Sequence, residues 1–332
     1  MSQQARFGLD REVYRVNRTL LRRRLFAGSA VLALALTAAC SSNSDSTSSE
    51  ELSGSIKADG SSTVFPLTST ASELYGEEQP KVQIAVGESG TGGGFEKFCN
   101  GETDISDASR PIKDEEKAAC EAKGIKYAEL IVANDALTVV VNKDNSFVDC
   151  LTVDQLKKLW EPKSAVKTWN QVDPKFPAQA IKLYGPGTDS GTFDYFTKEI
   201  NGEEGASRTD YTPNEDDNVL VQGVAGDKNA LGYFGFTYYE ENKDKLKALK
   251  VDGGEGCVEP SIKTAQDGSY KPLARPLFIY VSDKAIEREE VKDFVNYYVE
   301  NVDEIVKEAK FVPLTEEQKG TLKEEFDKLG KA

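Results

Sequence analysis

From residue 55 onward the chain alternates between two periodicities. Lys81-Val82-Gln83-Ile84-Ala85-Val86, Ile125–Val132 and Leu137–Val141 are short runs rich in branched apolar residues, the pattern of buried strands. Stretches near 68–78, 93–100 and 114–123 read as helices, and residues 284–309 show helical periodicity with a charged outer face. Thr152-Val153-Asp154-Gln155 and Thr315-Glu316-Glu317-Gln318 are capping boxes, predicting helices that run to Leu159 and to about Leu329. Alternation of this kind predicts an α/β architecture. There is no internal repeat and no Ser/Pro linker after residue 55, so two domains have to be joined by crossings inside the sheets.

The first forty residues follow another pattern. Seven Arg precede residue 25, against Asp10 and Glu12, and Leu25–Ala39 is almost wholly apolar or small, ending Leu36-Thr37-Ala38-Ala39-Cys40. An apolar run this short falls below the roughly 20 residues of a membrane span. Residues 1–39 therefore read as a secretory signal, and the small residues before Cys40 resemble a bacterial lipobox in which Cys40 is lipidated and becomes the mature N-terminus. The other reading is an uncleaved signal anchor. Arg23-Arg24-Leu25-Phe26 also has the look of a twin-arginine signal, so Sec and twin-arginine export both stay open. Residues 41–54 are a Ser-rich polar tether with nothing to bury.

The 332 residues include 41 Lys+Arg, 56 Asp+Glu, no His and five Cys. Loss of residues 1–39 leaves a net charge of −20. That charge argues against nucleic acid or an anionic membrane surface as partner. Without His there is no Ser-His-Asp or Cys-His hydrolase, no imidazole base and no His-ligated zinc. Cys40 aside, Cys99, Cys120, Cys150 and Cys257 form an even set, indicating two disulfides with three connectivities open. No C-x2-C spacing supports a metal, and no cofactor is expected.

Four segments carry candidate chemistry: Gly60-Ser61-Ser62-Thr63-Val64-Phe65-Pro66, Ser89-Gly90-Thr91-Gly92-Gly93-Gly94-Phe95, Asp104-Ile105-Ser106-Asp107-Ala108-Ser109-Arg110 and Gly187-Thr188-Asp189-Ser190-Gly191-Thr192-Phe193. Three of them set Ser/Thr and Gly just ahead of a helical stretch. Small residues expose backbone N–H groups, hydroxyls donate, and a helix N-terminus adds partial positive charge, which together suit an oxyanion. Singly, each segment also reads as a turn or an N-cap; three with one Arg point to a shared site. Gly87-Glu88-Ser89-Gly90-Thr91 is no nucleophile elbow, and Thr91–Lys97 lacks the Gly-Lys-Ser/Thr of a P-loop.

Together with Asp135–Asn142, Leu151–Trp160, Thr168-Trp169-Asn170 and Ala230–Gly235, these segments resemble the extracytoplasmic phosphate-binding proteins of ABC-type phosphate importers, a branch of the type II periplasmic binding proteins, over residues 55–330. The resemblance implies a two-lobed α/β fold with the ligand in the cleft between lobes. It implies crossings near 133–139 and 270–277, with lobe one at 55–134 plus 275–332 and lobe two at 140–270. The pairings Cys99–Cys120 and Cys150–Cys257 then each stay within one lobe. Carried over by motif, phosphate contacts fall on Ser62, Thr63 and the Val64 N–H, on Ser89, and on Ser190, Gly191 and Thr192.

One branch of the family has Ser-Asp where this chain has Ser109-Arg110, and an Arg where this chain has Pro186-Gly187. Ser109 and Arg110 are therefore assigned to phosphate, Arg110 supplying the guanidinium; a surface ion pair is the alternative, with Arg275 then the charge near the second crossing. A carboxylate that accepts the proton phosphate retains at neutral pH, and that sulfate lacks, would come from Glu88, Asp107 or Asp189, the last also readable as an N-cap.

The implied function is capture of inorganic phosphate and its delivery to the membrane permease and ATPase subunits of an importer, by a lipid-anchored protein on the outer face of the cell membrane or in the periplasm. It is not an enzyme's role. Another oxyanion such as sulfate or molybdate is the alternative ligand, and a phosphate-ester hydrolase the rival activity.

Overall fold

The computed structural model describes residues 52–329; the expected signal segment, Cys40 and most of the tether lie outside them. A nine-stranded sheet runs in the order Val82–Gly87, Gly54–Gly60, Ile105–Ala108, Ala274–Ser282, Tyr127–Asn142, Ala230–Gly235, Lys182–Gly185, Thr212–Pro213, and Leu246–Ala248 adds a further pairing on Tyr127–Asn142. The first three strands are mutually parallel, and Ala274–Ser282 runs antiparallel to its neighbours. Cys257–Val258, Lys250–Asp252 and Cys150–Thr152 form a second, three-stranded sheet.

The runs at 125–132 and 137–141, read from sequence as two strands, are one 16-residue strand, Tyr127–Asn142. Asn134 and Asp135 look like a break, but both have internal partners. Asn134 exchanges backbone hydrogen bonds with Val312 and donates its side-chain amide to Pro313 O and Gln318 Oε1, each at 3.1 Å. Asp135 pairs with Arg275. With their polar groups satisfied, the strand stays buried from Val132 to Asn142. It changes partner along its length: Tyr127–Ala136 pair with Ala274–Ser282, and Leu137–Val141 pair with Ala230–Gly235.

Two main cores lie on either side of that change. One packs Phe65–Glu78, Glu289–Glu300 and Val302–Glu308 on the sheet, with Tyr75 edge-on to Phe294 at 5.3 Å and to Tyr297 at 5.4 Å. The charged outer face expected over 284–309 is the solvent side of these helices. The other core gathers Trp160, Trp169 and Phe196, the last stacked on Tyr233 at 3.7 Å. Both capping boxes are made: Thr152 Oγ1 accepts from Gln155 N, and Thr315 Oγ1 from Gln318 N, each at 3.1 Å. The disulfides are Cys99–Cys120 and Cys150–Cys257.

Asp107 sits in the wholly buried strand Ile105–Ala108. Its Oδ1 accepts from Thr68 Oγ1 at 2.8 Å, while Oδ2 has no partner among the described residues. Burial pushes its pKa up to about 7, against the Thr68 bond and reinforced by Asp59. An unfolded Asp titrates near 3.8. Between about 4 and 7 the folded chain therefore keeps a proton that the unfolded chain has released, and this group's contribution to stability is lost as pH rises through that window. Asp107→Asn should remove that loss, so the variant gains melting temperature on the parent from pH 4 to pH 8. Parallel melting profiles for the two proteins would refute it.

Candidate functional site

The ends of these strands and the helices that follow them surround one cleft of about 930 Å³. Its first wall is the turn before Phe65–Glu78. Ser61 N donates to Asp107 O at 2.9 Å, and Thr63 N donates to Ser61 Oγ at 3.2 Å. Ser62 and Thr63 line the cleft. Val64 does not: its side chain is fully buried and its N–H donates to Ser61 O at 3.1 Å. A turn closing straight into a helix uses that amide internally, so the expected Val64 contact is occupied here.

The second wall is the start of helix Gly90–Cys99. A Cβ on Gly94 would lie 2.5 Å from Gly60 Cα and 2.9 Å from Asp59 O. Only glycine lets the helix cross the strand end so closely, which explains part of the glycine run. Ser89 lines the cleft, but its hydroxyl and its N–H both donate to Asp59 Oδ1, whose other oxygen holds Lys97 at 2.6 Å. Thr91, which sequence reasoning did not single out although it sits in the quoted segment, also faces the cleft; its Oγ1 accepts from Ser109 N at 3.2 Å.

Ser109 and Arg110 form the next part of the rim. Arg110 lines the cleft, and its fork is taken by Glu116: Nη1 donates to Oε2 at 2.8 Å and Nη2 to Oε1 at 2.7 Å. The Glu116 bond holds the Arg110 pKa above its ordinary value, against partial burial.

From the other side comes helix Gly191–Phe196. Ser190 is its N-cap, the hydroxyl accepting from Thr192 N at 3.2 Å. Gly191 lines the cleft; its neighbours Ser190 and Thr192, expected there from sequence, are not among the lining residues. Thr63 Oγ1 donates to Gly191 O at 3.4 Å, a contact across the cleft.

Arg275 lies at the junction. It stands in register with Asp135 on the paired long strands, and its Nε donates to Asp135 Oδ2 at 3.3 Å. Its Nη2 donates to Thr63 Oγ1 at 3.0 Å, and its guanidinium carbon stacks 3.5 Å from the centre of the Tyr195 ring. Burial raises the Asp135 pKa, with Arg275 opposing.

The three carboxylates named from sequence fall elsewhere. Glu88 and Asp189 are exposed and off the cleft, and Asp107 is buried beneath the first turn. The cleft carboxylate nearest the lobe-two turn is Asp194, three residues after Gly191, whose pKa is pushed up to about 6 by burial and by Glu204, with Arg275 opposing. Its only sequence signal was proximity to the Ser-Gly-Thr turn. Arg110, Lys113, Lys198, Lys271 and Arg275 outnumber the acids on the lining of this strongly acidic chain. Among the described residues no group of three or more His, Cys, Asp or Glu could hold a metal ion, and no helix is long and apolar enough to cross a membrane.

Two α/β cores joined by paired long strands, with helix N-termini and a junction arginine turned into the cleft between them, define a two-lobed solute-binding protein. Residues 45–302 match the PBP superfamily domain. The chain is 52% identical over 262 residues to Protein SphX of Synechococcus elongatus, covering 78% of this chain and 77% of that protein. It is 45% identical over 296 residues to the phosphate-binding protein PstS of Staphylococcus saprophyticus, covering 87% and 89%. The crystal structure of a possible phosphate binding protein from Planctomyces limnophilus superposes with a TM-score of 0.81 at 47% identity, covering 84% of this chain and 99% of that one. The chain belongs to the PstS family of phosphate-binding proteins within the PBP superfamily. It is a family of substrate-binding proteins, not of enzymes.

The Thr63–Gly191 contact yields a prediction. A Cβ on Gly191 would lie 2.7 Å from Thr63 Oγ1 and 2.8 Å from Thr63 N. Because the clash involves the Thr63 backbone as well as its hydroxyl, Gly191→Ala should wedge the two walls apart, a cost of about 1–3 kcal/mol typical of overpacking. Ligand affinity measured by calorimetry should fall about tenfold or more while the melting temperature without ligand hardly moves; unchanged affinity would show that the two walls need not touch.

Proposed function

We propose that this protein captures inorganic phosphate outside the cytoplasmic membrane and hands it to the permease and ATPase subunits of an ABC-type importer. The observation that carries the reading is the convergence of Thr63, Gly191 and the Arg275 guanidinium at the inner end of one cleft. Arg275 offers a planar fork suited to phosphate oxygens, already held by Asp135 and Tyr195. Arg110 supplies a second guanidinium from the rim. Ser62, Thr91 and Ser109 supply hydroxyls from the lining and Ser190 and Thr192 from either side of Gly191, while the Ser89 hydroxyl would have to leave Asp59 to join them; Ser190 caps its helix as an acceptor and keeps its own proton to donate. The lobes are residues 55–134 plus 275–332 and 140–270, closing on the anion so that water leaves and its hydrogen bonds strengthen.

The chain's resemblance to proteins named for phosphate binding supports phosphate over other oxyanions. Phosphate keeps a proton near neutral pH and sulfate does not, and Asp194, ionised above about pH 6, is the carboxylate that accepts it. Calorimetry of the purified chain with phosphate, sulfate and molybdate tests the ligand. Asp194→Asn should narrow the preference for phosphate over sulfate by about tenfold or more, since bonds to charged groups are worth about 1.5–3 kcal/mol. A ratio equal to the parent's removes Asp194 from this role.

Residues 1–39 direct export, and Cys40, once lipidated, tethers the binding domain to the outer face of the membrane through the Ser-rich segment 41–54. An acyl pair on Cys40 makes a stable anchor. Cys40→Ala should release the protein from washed membranes into the soluble fraction; retention on the membrane would show that another segment anchors it.

A further inference from the structure

We infer that Glu116 is a positioning residue for the anion site, acting through Arg110, and that the Cys99–Cys120 disulfide anchors it. This rests on the reading of the cleft as a phosphate site. Glu116 lies in helix Asp114–Ala122, whose N-cap Lys113 lines the cleft while Glu116 itself does not. Its carboxylate makes three bonds: two from the Arg110 fork, and one from Lys113 N at 2.8 Å, which closes the N-terminus of that helix. Arg110 Nη1 spends its other N–H on Pro111 O at 3.1 Å. Among the described residues this leaves Nε and one Nη2 N–H without a protein partner.

Nη2 lies beside a wall of the cleft. A Cβ built on Gly92, a lining residue, would lie 3.9 Å from Nη2. The guanidinium also sits 5.6 Å from the centre of the Phe95 ring. A long side chain that is 31% exposed at a rim has many rotamers in water; here a carboxylate and a ring select one, and the ordering is done before the anion arrives. The carboxylate also lowers the charge an empty site would carry, while Nε and one Nη2 N–H stay without a protein partner among the described residues.

The anchor is covalent. Cys120 is one turn beyond Glu116 on the same helix, and it is bonded to Cys99, the last residue of helix Gly90–Cys99. Cys99 Sγ lies 3.5 Å from the Glu116 carbonyl oxygen. The helix that presents Gly90, Thr91 and Gly92 to the cleft is thus tied to the helix that holds Arg110, so the two parts of the rim keep their spacing.

The test is a double-mutant cycle on the purified full chain, titrated with inorganic phosphate. Glu116→Gln keeps the acceptor for Lys113 N–H but loses the charge and one arm of the fork, and should weaken binding about tenfold. Arg110→Ala should weaken it at least as much, and adding Glu116→Gln to Arg110→Ala should change nothing further. Glu116→Asp, which restores charge at shorter reach, should bind between parent and Glu116→Gln. The Arg110 Nε–H resonance, sharp in the parent, should broaden in Glu116→Gln, which a merely structural role would not require. Binding within twofold of the parent in Glu116→Gln, or an equal loss in the Arg110→Ala background, overturns the positioning role and leaves the phosphate site standing. A parent that does not bind phosphate overturns both.

Discussion

Where two long antiparallel strands carry the chain from one core to the other, a charged pair sits in register between them, and the arrangement of the cleft depends on it. Arg275 and Asp135 face each other at the point where Tyr127–Asn142 is about to exchange one set of sheet partners for another. Asp135 is buried and Arg275 partly so, and the pairing matters because a lone buried ion costs several kcal/mol even after relaxation. Paired, and with the Arg275 fork extended to Thr63 and its face on Tyr195, the two charges tie a strand of the junction to the first loop of one core and to helix Gly191–Phe196 of the other. The same guanidinium thus touches both walls of the cleft, Thr63 on one and Tyr195 on the other.

Close approach of backbone is the second constraint. Gly94 lets one helix start against the end of a strand, and Gly191 lets the two walls meet at Thr63. Hydroxyls, turn amides and helix N-termini are short-range donors that act only within hydrogen-bond distance, so their usefulness to one small ion depends on segments packed closer than side chains with a Cβ permit. Several of the donors are already engaged: Val64 N–H within its turn, Ser89 on Asp59, Thr192 N–H on the Ser190 cap. Caps and turns hold these groups in one orientation, which lowers the ordering cost of binding.

The strongly negative chain and its anion-holding cleft are compatible because distance and screening separate them. Charges on the outer surface act through water and salt and decay over about 8 Å at physiological ionic strength. Groups inside the cleft act at contact. The basic lining, two of its members arginines held by partners, therefore outweighs the more distant acids where the ion sits, and the cost of assembling like charges there is reduced by Asp135 and Glu116.

Much of this was legible in the chain. Periodicity marked the helices, the capping boxes began where Thr152 and Thr315 stand, and the Ser/Thr/Gly segments marked part of the cleft wall, because local spacing and turn chemistry act within a few residues and leave a local trace. Even the disulfides followed once the lobes were assigned. What could not be read was set by contacts between residues far apart in sequence. Two apparent strands became one because Val312, Gln318 and Arg275 satisfy the polar residues between them. Arg110, the lone arginine of the motifs, had its fork claimed by Glu116, and the carboxylates that line the cleft are Asp194, Glu199 and Glu204, not the three named from sequence. Sequence alone determined which elements form and which residue types could meet an oxyanion. Only the tertiary structure decided which of them face the cleft and which spend their donors elsewhere, because a hydrogen bond or ion pair is chosen by distance in space, and the fold brings residues 63, 191 and 275 within reach of one another.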